Sequence, residues 1–129
     1  MPGRWGTSAL QKFLSLSWSR IGTIIQVVRM RVIAISTLKA FWESLPGRED
    51  AVAPTMAWYR HTLKADWNSP AALKQELRNV SILKDGRAVF NIAGNKYRLV
   101  VWINYSYRVV YVRFIGTHAE YDQIDAQTI

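Results

Sequence analysis

Phe90-Asn91-Ile92-Ala93-Gly94-Asn95-Lys96-Tyr97-Arg98-Leu99-Val100 is the stretch that decides the fold class. Gly94-Asn95 is a two-residue hairpin signal between two runs of β-formers. Such a turn sets Ala93 against Lys96, Ile92 against Tyr97 and Asn91 against Arg98. Side chains alternate between the faces of a strand, so Phe90, Ile92, Tyr97 and Leu99 form the core side. Val89, Asn91, Lys96, Arg98 and Val100 form the other face, half polar and open.

Working outward, Asp85-Gly86 marks a second hairpin turn, and β-formers dominate Ser81–Leu83, Arg87–Ala93, Lys96–Ile103 and Arg108–Ile115. Upstream the pattern is helical. Val32 to Ile35 reads as a first, largely buried strand. Ser36 or Thr37 then caps a helix in which Leu38, Phe41, Trp42 and Leu45 recur, ended by Pro46-Gly47. Those aromatics read as core packing. A second helix runs from Ala51 to Ala65, capped by Asp50, with Pro54 in its first turn and an apolar stripe of Val52, Met56, Tyr59 and Leu63. His61 lies off that stripe, on the surface. Ser69-Pro70 opens a short third helix through Leu77. Helices followed by antiparallel strands predict an α+β domain, a small mainly antiparallel sheet with helices packed on one face.

If Ile103 faces Arg108 across the next connection, Val100 meets Tyr111 and Arg98 meets Arg113. Asn91, Arg98 and Arg113 would then form a row on the open face. Two arginines directly opposite destabilise a sheet by up to about 1 kcal/mol. A phosphate between them reverses the sign, because guanidinium binds phosphate through paired hydrogen bonds. The alternative is that one arginine pairs with a carboxylate, such as Glu120 or the chain's C-terminus.

Gly116 ends the last strand, and Thr117 with Glu120 has the spacing of a capping box, predicting a short helix from His118. Tyr121 and Asp122 share a helix face with His118 at i+3 and i+4. An imidazole there can move a proton, and Asp122 can orient it. Cations beside a proton-transfer group fit 2′-OH attack on the adjoining phosphate of single-stranded RNA, without metal or cofactor. Tyr105, Tyr107 and Tyr111 can stack bases or pack in the core.

Composition agrees with a polyanionic partner. The 129 residues carry a net charge of +8 and no cysteine, which excludes disulfides and thiolate metal sites. Residues 1–29 hold four of the 17 basic side chains and no acidic one. Their apolar runs are broken, and no apolar span of about 18 residues suggests a membrane helix. We read 1–29 as a poorly ordered extension or translated upstream sequence, with a functional basic arm or a cleaved signal as alternatives. Met30, just before the first strand, then opens a domain spanning 30–129, cytoplasmic by default.

Two blocks resemble a known family. Phe90 through Val100 and Val112-Arg113-Phe114-Ile115-Gly116-Thr117-His118-Ala119-Glu120-Tyr121-Asp122 are similar to the HigB family of type II toxins, as is Trp67-Asn68-Ser69-Pro70. The resemblance spans Met30 to about Ala126. It implies a RelE-like fold and a ribosome-dependent mRNA endonuclease that inhibits translation. It implies a HigA-type antitoxin with a helix-turn-helix domain as partner. On matching positions it implies Arg98 and Arg113 at phosphate, His118 in proton transfer with Tyr121 in support, and Asn91 and Lys96 positioning RNA. A non-catalytic RNA- or ribosome-binding module is the alternative, using the same arginines without His118. A degenerate toxin that only engages its antitoxin is a third.

Overall fold

A computed structural model describes residues 28–129. The expectations for 1–27 therefore lie outside the described residues. The chain runs β1 (Arg31–Ile33), α1 (Ile35–Ser44), a 3-10 turn (Glu49–Ala51), α2 (Val52–Lys64), α3 (Pro70–Glu76), β2 (Ser81–Ile82), β3 (Arg87–Ile92), β4 (Tyr97–Asn104), β5 (Val109–Thr117) and α4 (His118–Tyr121). The five strands form one sheet in the order β1-β5-β4-β3-β2, with β1 parallel to β5 and every other pair antiparallel. The expected α+β architecture holds. Among the described residues no helix is long and apolar enough to cross a membrane.

The β3–β4 hairpin forms in the expected register, with Ile92 opposite Tyr97 and Asn91 opposite Arg98. Gly94, at φ +65°, supplies the backbone conformation that the turn demands. Phe90, Ile92, Tyr97 and Leu99 enter the main core, beneath Leu38 and Phe41 of α1, Trp58 of α2 and Leu73 of α3. Phe90 organises that core. Trp58 meets it edge-on at 5.3 Å between centroids, and the fully buried Trp67 stacks on it at 6.0 Å. Aromatic pairs of this kind contribute about 1 kcal/mol beyond the area they bury.

Four upstream expectations need correction. The first strand is shorter than Val32–Ile35 and lies at the sheet edge, where only Val32 turns to the core. Ile35 already belongs to α1, whose N-cap is Ala34 rather than Ser36 or Thr37. Leu45 falls beyond the last turn of α1 and is exposed. The buried face of α2 is Thr55, Trp58 and Thr62, rotated from the stripe Val52, Met56, Tyr59 and Leu63. Both sets have helical spacing, and the indole that packs on Phe90 sets the rotation. Two further readings hold: Ser69 caps α3, and His61 is exposed, 2.6 Å from Glu76.

The β4–β5 pair departs most from expectation. Asn104 pairs with Val109 and Trp102 with Tyr111, two residues out of the expected alignment. Asn104 starts the connection by accepting a hydrogen bond from the Tyr107 amide on its side-chain oxygen. Between Val101↔Val112 and Val100↔Phe114, Arg113 is the extra residue of a β-bulge. Beyond it Phe114 turns away from the helices, and Arg98 lies opposite Gly116. The expected Asn91–Arg98–Arg113 row does not form.

Nor is the second sheet face open. Ile124, Ala126 and Ile129 fold back over Val89, Val100 and Phe114, making a second apolar cluster with Leu83 and Tyr121. Gln127 fixes this segment by exchanging hydrogen bonds with the Lys84 backbone.

Candidate functional site

The sheet end bearing the β3–β4 turn and α4 holds the candidate site. Locally, α4 forms because its start is capped twice. The Thr117 hydroxyl accepts from the Glu120 amide at 3.1 Å, while the Glu120 carboxylate accepts from the Thr117 amide at 2.9 Å. A distant residue completes the anchor. Arg48, from the connection between α1 and α2, donates to Glu120 at 2.7 Å and lies 4.3 Å above the Phe41 ring. The hydrogen bond from the Thr117 backbone, together with Arg48, holds the Glu120 carboxyl below its usual range.

Gly116 lets the chain fold back this tightly. A Cβ there would sit 2.5 Å from the Phe114 ring and 3.0 Å from the Glu120 carboxylate. Its bare backbone faces Arg98 across the sheet.

Arg98 has no carboxylate partner among the described residues. It donates to the Asn95 backbone oxygen at 3.2 Å and to its side-chain oxygen at 3.0 Å. The guanidinium carbon lies 5.9 Å from the centre of the Tyr121 ring, within cation–π range. His118 opens α4 and is exposed, its Nε2 3.7 Å from an Asp122 carboxylate oxygen. That distance suits an ion pair when the imidazole is protonated, though not a hydrogen bond. Asn91 stands beside Arg98 on β3, also exposed. The structure therefore gathers Arg98, His118, Tyr121 and Asn91.

Two other expected residues are engaged elsewhere. Lys96 turns to the helix side and pairs with Asp50. The Tyr97 hydroxyl donates to the same carboxylate at 2.5 Å. Hydrogen bonds from Lys96 and then Tyr97 lower the Asp50 pKa, while burial chiefly raises that of Tyr97. Asp50 thus joins the hairpin to the 3-10 turn and is no helix cap. Arg113 donates to the Ile129 backbone oxygen at 3.3 Å, about 10 Å along the strand from the Arg98 position.

Of the tyrosines considered for base stacking, Tyr105 is turned toward the core, Tyr107 is 78% exposed, and Tyr111 stacks on Trp102. Among the described residues, no three His, Cys, Asp or Glu side chains gather where they could hold a metal ion.

Sequence reasoning missed Arg48 and the 124–129 segment. Arg48 lies 72 residues from Glu120, with no periodicity or motif linking them. The segment carried a signal in Ile124, Ala126 and Ile129, but nothing local shows which face they cover.

No curated protein matches the chain at a significant level. Residues 51–124, more than half of it, match the family model HigB_toxin, described as the RelE-like toxic component of a toxin-antitoxin system. The matched span runs from the start of α2 past α4 and contains Arg98, His118 and Tyr121. The chain belongs to the HigB family of RelE-like toxins, the toxic partner of an antitoxin.

Proposed function

We propose that this toxin is a ribosome-dependent mRNA endoribonuclease, cutting translated messages by attack of a ribose 2′-OH on its neighbouring phosphate. The observation that carries the reading is the placing of Arg98 against the short C-terminal helix. Arg98, with no competing carboxylate among the described residues, stands by the Tyr121 ring on the short helix that His118 opens.

In this mechanism the 2′ oxygen forms a bond to phosphorus as its proton leaves, and the bond to the 5′ oxygen breaks. A 2′,3′-cyclic phosphate and a 5′-hydroxyl result. Arg98 donates to the phosphoryl oxygens as charge builds on them. His118 carries a proton at one end of the reaction, its imidazolium stabilised by Asp122. Tyr121 supports Arg98, and Asn91 contacts the RNA beside it. Lys96 reaches phosphate only by leaving Asp50. Arg113 drops out of the catalytic set, being committed to the Ile129 backbone. The antitoxin in this reading is HigA-type, with a helix-turn-helix domain.

Primer extension on a defined mRNA in a reconstituted translation system tests the proposal. The chain should cut within the translated region, and His118→Ala should cut about 100-fold less or weaker still. Undiminished cutting would remove His118 from the chemistry. Absence of cutting by the folded parent would favour a non-catalytic RNA- or ribosome-binding module.

A further inference from the structure

The sheet face away from the helices continues past the candidate site, and its far end is unusual. A cross-strand row there runs Arg87–Trp102–Tyr111–Ile33 over β3, β4, β5 and β1. Trp102 and Tyr111 stack with centroids 5.0 Å apart and planes 27° from parallel. Neither ring belongs to either apolar cluster of the fold. Both are half-buried, and Ile33 beside them is 41% exposed. Core packing therefore leaves this aromatic pair unexplained.

Charge on the same face has one sign. Its strand positions carry Arg31, Arg87, Arg98 and the bulged Arg113, with no Asp or Glu. None of the four pairs with an Asp or Glu side chain among the described residues, although Arg87 and Arg113 both donate to the terminal residue, Ile129. Arg87 also donates to the backbone oxygen of Ala126. Arg31 is exposed, at the β1 corner of the patch.

We propose that Trp102 and Tyr111 form a stacking subsite for a base of single-stranded RNA, with Arg31 contacting a phosphate beside it. Aromatic rings among unpaired cations bind single strands because every base has a stackable face and every linkage a negative charge. Tyr111 lies opposite Trp102, four residues along β4 from Arg98, a separation of about 13 Å. RNA held at both points crosses the outer surface of the 124–129 segment. The subsite rests on the nuclease reading for its purpose but can be tested apart from it.

The test uses the full chain carrying His118→Ala, so that the probe survives. Binding of a fluorescein-labelled ten-nucleotide oligouridylate is followed by anisotropy over a series of salt concentrations. Adding Tyr111→Leu should weaken binding by about fivefold or more, with little change in salt dependence. Tyr111→Phe, which keeps the ring, should bind like its parent. Arg31→Ala should instead flatten the salt dependence by about one phosphate contact. Parent-like affinity in both Tyr111→Leu and Trp102→Leu, each shown folded by near-ultraviolet circular dichroism, would overturn the proposal. So would failure of the parent to bind the probe. Cleavage by the chain with His118 intact is scored separately. Weakened binding without any cleavage keeps the subsite and removes the nuclease reading, whereas cleavage with unchanged binding does the reverse.

Discussion

The two faces of this sheet are built on different principles. On the helix side, Phe90, Leu99, Val101 and Val110 meet α1, α2 and α3 in a continuous apolar layer. On the other side Val89, Val100 and Phe114 form a smaller patch, roofed by a few residues of the chain's last segment and flanked by arginines. The first face has little polar to offer. The second keeps Arg98, Arg87 and Arg113 free of Asp and Glu side chains among the described residues, with Arg87 and Arg113 turned to the terminal residue and Arg98 left to the candidate site. Stability is thus concentrated on one side, and the groups suited to an anion stand on the other.

The comparison breaks most readily at its apolar extremes. Trp67 is fully buried, so Trp67→Ala should cost about 3–5 kcal/mol in equilibrium urea unfolding. Ile124, half-buried in the roof, should cost only about 1 kcal/mol when cut to Ala. Equal losses would mean that the second face contributes as much to folding as the first.

A smaller effect sharpens the comparison at the seam between the faces, where Arg48 reaches Glu120 from the α1–α2 connection. Glu120→Gln keeps the capping-box acceptor but removes the charge facing Arg48 and the helix start, and should destabilise by about 0.5 kcal/mol at neutral pH. The folded-state pKa of Glu120 lies below its ordinary value of 4.5. Its contribution is therefore present above that value and lost as pH falls through the folded pKa. Thermal melts between neutral and acidic pH should show the variant and parent converging at the acid end. A constant gap would place the effect in packing rather than ionisation.

How far each face was legible follows from the range of the interactions that set it. The β3–β4 register could be read because Gly94-Asn95 fixes it within two residues. The capping box of Thr117 and Glu120 is equally local, and α4 forms where its spacing indicates. The β4–β5 register could not be read, because the bulge at Arg113 has no glycine or turn residue to announce it. That single inserted residue, with the two-residue offset set by Asn104, dissolved the arginine row. In α2, two stripes of like periodicity competed, and only tertiary contact with Phe90 chose between them. Asp50 had the composition of a cap but found stronger partners in Lys96 and Tyr97, remote in sequence. Of the candidate site, the helix bearing His118 and Tyr121 was legible; the separation of Arg98 from Arg113 was not.

That separation is also the most direct way to test the account. Primer extension on translated mRNA should compare Arg98→Ala with Arg113→Ala, each shown folded. The account predicts that Arg98→Ala cuts about 100-fold less than the parent or weaker still, while Arg113→Ala stays within about threefold. Equal losses in the two variants, or a larger loss in Arg113→Ala, would contradict it.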